Sequence, residues 1–360
     1  MTLSEKLKDE NSKIKVGVMM GGPSSEREIS LESGRHIYNS LDDSKYEKIP
    51  IFVSTDLKFW IINEALLWMN TTEDIQGELE NQGAQNLTYQ ELPDHIEIAF
   101  LGLHGKFVED GALQGLLEFL GIPYNGPGII GAAIGMDKYY QRKVLKGAGL
   151  NVPKHMPVIQ EDYEDDPETI IKTIEGEFNY PMIVKPSREG CSTAVAKVKD
   201  QKELRKAIDE ALNWDILILI EEFIDAQEIT CTIIGNDNPE ALTPTETPKK
   251  GDFLTVEEKF LPGDASMITP PTGMDEGTVE KVKAEFVKAY KAMELSVYSR
   301  IDAFWKDGKL IILEPNTLPG VTPSTMVFHQ AAEAGMGPGD FFDRIIELSI
   351  EAFEKKVGPR

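Results

Sequence analysis

The sequence predicts an α/β fold, and two observations carry this prediction. A short apolar strand at residues 15–20 runs directly into two glycines and then into a segment of helical character at residues 29–41. Ser25 and Glu28 have the spacing of a capping box at the start of that helix. A strand, a glycine turn and a capped helix form the first unit of an α/β domain. The 360 residues are enough for two or three domains.

The composition is that of a globular protein with no nucleic-acid partner. Hydrophobic residues make up 41% and charged residues 27%, and the net charge of −24 argues against nucleic acid or an anionic membrane as partner. Cys191 and Cys231 are the two cysteines, which excludes a disulfide framework and a cysteine-rich metal site. Residues 1–15 lack the apolar run of a signal peptide, and no apolar run reaches membrane-spanning length. We therefore expect a cytoplasmic protein.

A stretch in the last fifth of the chain predicts a β-hairpin with a polar face. Two apolar runs flank residues 306–308, where glycine suits a tight turn. With a three-residue loop, Arg300 faces Glu314, and Asp302 and Asn316 lie on the same face because strand side chains alternate. The opposite face, which we expect to enter a core, consists of Ile301, Ala303, Ile311 and Leu313.

The carboxylates of this face predict a metal site. Unpaired buried carboxylates repel each other and cost roughly several kcal/mol. Asp302, Glu314 and Asn316 offer the oxygen ligands that a hard divalent cation prefers. The alternative is an edge hairpin with a solvated polar face. The stiff loop at residues 318–323 favours the metal site, because such a loop can present backbone N–H groups to a ligand.

Other candidate residues follow predicted strands, where α/β sheets bind ligands. Glu26 follows the first strand, and His104 follows a buried strand and opens a loop that ends at Glu109, Asp110 and Gly111. Simple structural roles are the alternatives, such as a permissive glycine turn or a structural histidine.

Two more strands end in groups that suit a nucleotide. Lys185 ends a strand and precedes a loop of small residues that could cover phosphates, although a hairpin with an exposed lysine is the alternative. The strand at residues 216–224 ends in two carboxylates that would suit an adenine and ribose pocket.

Two common nucleotide-binding fingerprints are excluded. Residues 126–131 match G-x-G-x-x-G, but the preceding strand is very short (122–124), and Leu150 stands where an acidic ribose ligand would lie. We interpret these glycines as a domain-crossing loop before a helix that begins near Met136. The chain contains no G-x-x-x-x-G-K-[ST].

Residues 243–273 form a long segment that is broken by prolines and carries several Lys and Glu residues. Loops of this length without their own structure are usually functional lids or disordered. We expect a lid that excludes water from a bound nucleotide.

Four of these segments, in this order, resemble the D-alanine–D-alanine ligases, a family of the ATP-grasp superfamily. Their patterns are Gly-Gly-x-Ser-x-Glu-Arg-Glu, Leu-His-Gly-x-x-x-Glu-Asp-Gly, Lys-Pro-Ser-Arg-Glu-Gly, and Arg-x-Asp with Glu-x-Asn-Thr-x-Pro-Gly. The resemblance extends from about residue 14 to residue 350.

The resemblance implies a three-domain ATP-grasp fold with ATP between the second and third domains. The implied domains are an N-terminal Rossmann-like, substrate-binding domain (13–126), a central ATP-grasp domain (127–221) and a C-terminal ATP-grasp domain (222–358) that carries the lid (243–273) and the metal site. The implied reaction joins two D-alanines for the cell-wall peptide. ATP phosphorylates the first carboxylate, and two Mg²⁺ (or Mn²⁺) ions offset charge at the phosphoryl group. The family resemblance also implies a homodimer.

The resemblance also implies family roles at matching positions of this chain. For ATP these are Lys138 and Lys185 on the phosphates, Glu221, Phe223, Ile224 and Glu228 around adenosine, and Phe253 and Lys259 from the lid. For metal they are Asp302, Glu314 and Asn316. For the substrates and the chemistry they are Glu26, His104, Cys191, Ser192, Phe260, Arg300, Gly320, Thr325 and Met326.

Two departures from the family pattern leave the second substrate open. Cys191 stands where the family usually has serine, and Phe260 where it usually has tyrosine, so two hydroxyls that bridge to Glu26 in the family are missing. Met326 replaces the common leucine. Ester-forming D-alanyl–D-lactate relatives also alter this tyrosine, so such a ligase, or another D-alanyl–D-X ligase, is the alternative. A non-catalytic binding protein is the third hypothesis, but it should lack a metal carboxylate, and Asp302 and Glu314 are both present.

Overall fold

The computed structural model describes residues 2–9, 11–190, 193–247 and 267–357, and it confirms the α/β class. The strands are β1 (Ile14–Gly21), β2 (Tyr46–Val53), β3 (Phe59–Ile61), β4 (Gln85–Leu87), β5 (Ile98–Leu101), β6 (His155–Ile159), β7 (Met182–Pro186), β8 (Ala196–Val198), β9 (Leu217–Glu222), β10 (Gln227–Ile234), β11 (Glu240–Ala241), β12 (Thr245–Glu246), β13 (Tyr298–Lys306) and β14 (Lys309–Asn316). The helices are α1 (Leu3–Lys6), α2 (Arg27–Ser40), α3 (Glu64–Leu67), α4 (Thr72–Glu78), α5 (Leu92–His95), α6 (Ala112–Leu120), α7 (Ile129–Met136), α8 (Lys138–Gly147), α9 (Gln160–Asp165), α10 (Pro167–Glu177), α11 (Gln201–Leu212), α12 (Glu276–Ala292), α13 (Met326–Glu333) and α14 (Pro338–Val357), with a 3-10 turn at Tyr89–Glu91. None of the helices in these ranges is long and apolar enough to span a lipid bilayer.

The first sheet has the strand order β4-β3-β2-β1-β5, and β1 runs parallel to both β2 and β5. The carboxyl ends of β1 and β5 therefore meet at one edge, which is where Glu26 and His104 follow. Phe341 and Phe342 of α14 are fully buried in the core beneath this sheet together with Leu31 of α2. The last helix of the chain thus covers the first sheet.

The predicted capping box at the start of α2 is wrong. Glu26 is the N-cap residue, and no side chain caps the helix there. Glu28 instead accepts hydrogen bonds from the N–H (3.1 Å) and hydroxyl (2.5 Å) of Thr72, at the start of α4. The Glu28 carboxylate, which the local pattern predicted to cap its own helix, therefore forms a tertiary contact instead.

The second and third sheets are antiparallel. The second has the order β6-β9-β7-β8 and packs on α10 and α11 through Ile171, Ile174, Leu204 and Ile208. The third has the order β11-β10-β13-β14, with β12 also paired to β10, and packs on α8 and α12 through Leu145, Val282 and Phe286. The candidate site lies where these two sheets approach the first.

Two segment predictions differ from the structure. Helix α7 already begins at Ile129, so the predicted glycine loop at residues 126–131 ends earlier than expected. The segment 243–273 is not structureless at its ends, because β12 pairs with β10 and Glu246 forms an antiparallel bridge to Ile268.

The predicted hairpin forms between β13 and β14, but its register differs. The loop has two residues, Asp307 and Gly308, both with positive φ (50° and 73°), as a type I′ turn requires. A bulge between Asp302 and Ala303 shifts the register again, so that Arg300 lies opposite Asn316 rather than Glu314. Near the turn, Leu310 and Ile312 are fully buried, and the expectation that Ile311 and Leu313 enter the core is wrong.

Candidate active site

A cavity of about 70 Å³ lies between the three sheets and gathers five of the predicted site residues. Its lining includes Glu26 from the first sheet's edge, Lys138 from the start of α8, and Arg300, Glu314 and Asn316 from the β13–β14 hairpin. Glu109 and Glu189 also line it. Residues almost three hundred positions apart in the chain thus face one small space.

The hairpin supplies a buried ion pair at the floor of this site. Arg300 donates to Asp302 from Nε (3.0 Å) and Nη2 (3.2 Å), and Asn316 donates to the same carboxylate at 3.0 Å. Thr230 of β10 adds a hydroxyl donor at 2.6 Å. Burial alone would lower the pKa of Arg300, but the charge and hydrogen bonds of Asp302, together with the charges of Glu314 and Glu228, outweigh it and raise that pKa. Asp302 therefore accepts hydrogen bonds from side chains on three strands, β10, β13 and β14.

Lys138 connects α8 to the hairpin. Its ammonium lies 3.5 Å from Oε2 of Glu314 and donates to the backbone carbonyl of Glu189 at 2.6 Å. Asp137 fixes the start of α8, because its carboxylate accepts from the N–H groups of Tyr139 (3.0 Å) and Tyr140 (3.2 Å). The lysine is thus presented at a capped helix N-terminus, where the helix dipole also favours an anion.

Lys185 and Glu221 form a buried pair with a third member, Arg142. The Lys185 ammonium lies 2.7 Å from one oxygen of Glu221, and Arg142 Nε donates to the other at 3.0 Å. Burial lowers the pKa of Lys185 despite the neighbouring Glu221. For Glu221, burial would raise the pKa, but the two cations outweigh it and lower the pKa to about 2. The cluster carries one net positive charge, which suits a polyanion nearby.

The other predicted adenosine residues lie beyond this cluster. The ring of Phe223 is covered by the ammonium of Lys197, 3.8 Å from the ring centroid, and Ile224 is buried. Glu228 lies opposite Phe304, and its backbone carbonyl accepts from the N–H of Thr247 at 3.1 Å. The predicted strand end thus combines an aromatic ring, an aliphatic side chain and carboxylates.

His104 is buried, and both of its ring nitrogens are hydrogen-bonded. Nδ1 lies 3.0 Å from the carbonyl oxygen of Leu318, which can only accept, so this nitrogen carries the proton. Nε2 lies 3.0 Å from the Ser33 hydroxyl, which then donates to it. Burial lowers the pKa of His104, although Glu26 opposes the shift. The structure therefore favours a neutral histidine that ties the first sheet to the loop after β14.

Three further predicted residues that the structure describes, Gly320, Thr325 and Met326, do not line the small cavity. Gly320 is buried in the loop after β14. Thr325 is the N-cap of α13 and donates to the Thr322 carbonyl at 3.0 Å, and Met326 is buried with its sulfur 3.7 Å from the Thr247 hydroxyl. Cys191, Ser192, Phe253, Lys259 and Phe260 lie outside the described residues.

A wider cavity of about 300 Å³ shares Glu26, Glu189 and Gly190 with the small one. It is lined by residues 23–26 and 105–107 from the edge of the first sheet, and by Glu189, Gly190 and Trp214 from the second. Glu26 therefore lines two neighbouring cavities, as a residue between two substrate positions would.

Arg142 and Glu109 are among the residues at the site that had no role in the sequence-based prediction. Arg142 lies four residues after Lys138, so both occupy one face of α8, and that spacing could have pointed to it. Glu109 belongs to a predicted motif but had no assigned role. Burial and the nearby charge of Glu26 raise its pKa.

Comparisons with known proteins give the family. Residues 15–127 match the family model described as D-ala D-ala ligase N-terminus, and residues 144–347 match the one described as D-ala D-ala ligase C-terminus. The D-alanine–D-alanine ligase of Natranaerobius thermophilus is 34% identical over 96% of this chain and 97% of its own length.

Solved structures agree with this result. The ligase of Coxiella burnetii superposes with a TM-score of 0.82 and 26% identity over 96% of each chain. The VanG D-Ala:D-Ser ligase of Enterococcus faecalis gives 0.79 and 27%, over 94% of this chain and all of the other. The ATP complex of the Bacillus anthracis ligase gives 0.71 and 29%, over 96% of this chain and all of the other. The chain therefore belongs to the D-alanine–D-alanine ligase family of ATP-dependent enzymes with the ATP-grasp fold.

Proposed function

We propose that this chain joins two molecules of D-alanine through an acyl phosphate and forms D-alanyl-D-alanine, ADP and phosphate. The observation that carries the proposal is the cavity where Glu26, Lys138, Arg300 and Glu314 meet. It combines one carboxylate suited to an ammonium with two cations suited to phosphate and a carboxylate suited to a metal. The ATP-bound relative of similar fold supports the nucleotide assignment.

The reaction has two steps. The carboxylate of the first D-alanine attacks the γ-phosphorus of ATP, a P–O bond to ADP breaks, and an acyl phosphate forms. The amine of the second D-alanine then attacks the acyl carbon. A C–N bond forms, phosphate leaves and the amine loses a proton. Phosphorylation is needed because a carboxylate oxygen is otherwise a poor leaving group.

The side chains of this site fit specific parts of that sequence. Lys138 and Lys185 are the cations for the ATP phosphates, and the net positive charge of the Lys185–Glu221–Arg142 cluster favours a polyanion. Arg300 can stabilise charge that develops on the acyl phosphate, since Asp302 fixes its orientation by two hydrogen bonds. Glu26 lines both cavities and is the carboxylate for the first substrate's ammonium.

The hairpin residues fit a divalent cation. Glu314 and Asn316 line the cavity, and Asp302 is hydrogen-bonded to Asn316, so the donor set is two carboxylates and an amide. Among the described residues no cluster of three or more His, Cys, Asp and Glu side chains could hold a metal ion by itself. This composition fits Mg²⁺, which usually binds through one or two carboxylates together with substrate phosphates. The metal would supply charge neutralisation at the transferred phosphoryl group.

A second candidate function differs only in the second substrate. Cys191 and Phe260 stand where the family usually has two hydroxyl side chains, and a D-Ala:D-Ser ligase is among the similar structures. A D-alanyl–D-lactate, D-alanyl–D-serine or related ligase is therefore the alternative.

The test is ADP release with Mg²⁺ and ATP, with D-alanine alone and then with D-alanine plus D-lactate or D-serine, from pH 6 to 9. Turnover with D-alanine alone and detection of the dipeptide would support the first proposal. Turnover only when a second acid is present would support the alternative. The Cys191→Ser/Phe260→Tyr double variant is the matched control, because it restores both family hydroxyls and should favour D-alanine as second substrate. No ADP release with any of these pairs would contradict both candidates.

A further inference from the structure

Both backbone polar groups of Leu318, its N–H and its carbonyl, form hydrogen bonds with the loop that follows β5 of the first sheet. The Leu318 carbonyl accepts from Nδ1 of His104 at 3.0 Å. The Leu318 N–H donates to Oε1 of Glu109 at 3.3 Å. His104 and Glu109 are five residues apart after the carboxyl end of β5, so a single short loop hydrogen-bonds both the N–H and the carbonyl of Leu318.

Glu109 also holds its own loop in shape. Its second oxygen, Oε2, accepts from the N–H of Gly105 at 2.5 Å. The carboxylate is therefore a bridge between the loop after β5 and the loop after β14. Each oxygen has one backbone donor, and the lining of the small cavity includes Glu109 itself.

Leu318 lies between Asn316, a proposed metal ligand, and Gly320, whose backbone the family resemblance assigns to the acyl-phosphate chemistry. Leu318 follows Asn316 by two residues and precedes Gly320 by two, with Pro319 between them. Proline fixes φ at position 319, so few freely rotating backbone bonds separate the Leu318 carbonyl from the Gly320 N–H. Holding Leu318 thus fixes the loop that carries the metal ligand at one end and the Gly320 N–H at the other.

We propose that Glu109 is a positioning residue for phosphoryl and acyl transfer, which acts together with His104 by clamping the Leu318 peptide groups. The inference rests on the proposed function for its kinetic consequence, but the clamp itself can be measured without turnover. The chemical requirement is two acceptors on one side chain, which Glu109 meets as a carboxylate. The N–H donors of Gly105 and Leu318 favour that form, and they oppose the burial and the Glu26 charge that raise its pKa. Glutamine offers one acceptor oxygen and one donor amide, so it cannot accept from both the Leu318 and Gly105 N–H groups.

The kinetic test compares Glu109→Gln with Asp110→Asn. Asp110 is the matched control because it lies in the same loop, and within the described part of the chain its carboxylate accepts from local N–H groups, those of Phe107 (2.9 Å) and Ala112 (3.0 Å). We expect Glu109→Gln to lower kcat about tenfold or more with KM for ATP within about twofold, since misplaced reacting groups slow the chemical step. Asp110→Asn should keep kcat within about threefold.

A second test asks whether Glu109 and His104 act on the same peptide groups. If they do, the loss in kcat for the Glu109→Gln/His104→Ala double variant will be much smaller than the product of the two single losses. Independent structural contributions would instead multiply. A multiplicative result would overturn the clamp.

A third test needs no activity. Hydrogen exchange at the Leu318 amide should be faster in Glu109→Gln than in wild type and Asp110→Asn, with melting temperatures of all three within a few degrees. Unchanged exchange in Glu109→Gln would overturn the proposal even if the enzyme is active. If wild type releases no ADP but exchange responds as expected, the proposed reaction fails while the clamp stands.

Discussion

Arg142 donates a hydrogen bond to Glu221 at 3.0 Å, and both side chains are almost fully buried. The same guanidinium donates to the backbone carbonyl of Leu313, which precedes Glu314. Arg142 therefore joins the Lys185–Glu221 pair of the second sheet to the strand that carries a proposed metal ligand. Arg142 of α8 thus fixes β9 of the second sheet relative to β14 of the third.

The first prediction concerns the stability that this contact provides. Arg142→Met should lower the free energy of unfolding by about 3 kcal/mol, because it leaves the buried Glu221 with one cation instead of two. Urea denaturation measures the loss. Arg344→Met is the control, since Arg344 pairs with Glu347 at 3.1 Å while half exposed, and it should cost less than about 1 kcal/mol. Equal losses in the two variants would show that Glu221 does not need the second cation.

The second prediction is a pH dependence. The Glu221 pKa is lowered from 4.5 to about 2 in the folded protein. Because the folded-state pKa lies below the unfolded-state value, the stabilisation is fully present above about pH 4.5 and is lost as the pH falls towards 2. The shift corresponds to roughly 3 kcal/mol.

The measurement compares wild type with Glu221→Gln from pH 6 down to pH 2.5. Other carboxylates are common to both proteins, so the difference in unfolding free energy isolates Glu221, and it should shrink as the pH falls. Glu210→Gln, at an exposed position of α11, serves as the surface control and should follow wild type throughout. A difference that stays constant across this range would contradict the predicted pH dependence.

The hairpin shows what alternation of side chains can and cannot predict. The sequence correctly placed Arg300, Asp302, Glu314 and Asn316 on one face, although the predicted loop was one residue too long. The shorter turn shifts the register by one residue, and the bulge at Asp302 shifts it by one more. Each one-residue shift moves a side chain to the opposite face, so the two shifts together return Glu314 and Asn316 to the predicted face. Between the turn and the bulge a single shift applies, so Leu310 and Ile312 enter the core instead of Ile311 and Leu313.

The contacts missed by the sequence analysis are those that depend on distant segments. Nothing near Glu28 indicates that its carboxylate will bond Thr72, and nothing near Glu109 indicates that Leu318 lies beside it. Local patterns predicted the strands that precede the site residues, helix α2, the approximate start of α8 and the polar strand ends, because these depend on periodicity and turn chemistry. The two pairs of partners, 44 and 209 positions apart, are brought together by the packing of distant elements, which periodicity does not encode.

The third prediction concerns the metal site. Glu314→Gln should reduce kcat about 100-fold or more, because an amide is a weaker ligand than a carboxylate for the divalent cation that would neutralise charge at the phosphoryl group. The fold should survive. Glu314 is 30% exposed and 3.5 Å from Lys138, so losing this charge should change the unfolding free energy by about 1 kcal/mol at most. Steady-state ADP release and urea denaturation measure both effects, and a rate like that of wild type would contradict the metal assignment.

The fourth prediction concerns the position of Glu26. Gly105 has φ of +85°, and an added Cβ would lie 2.8 Å from Cβ of Ser24 and 3.2 Å from Oε2 of Glu26. Gly105→Ala should therefore move the Glu26 carboxylate and raise KM for the first D-alanine by about tenfold, since one displaced ionic contact is worth roughly 1.4 kcal/mol.

Gly83→Ala separates this contact from backbone strain. Gly83 also has positive φ (+70°), but an added Cβ would meet nothing within 4 Å. Both variants should lose about 1 to 2 kcal/mol of stability because alanine disfavours the left-handed conformation. Only Gly105→Ala should change KM for D-alanine. If Gly83→Ala raises KM equally, the effect arises from strain and not from Glu26. If neither variant raises it, Glu26 does not hold the ammonium of the first substrate.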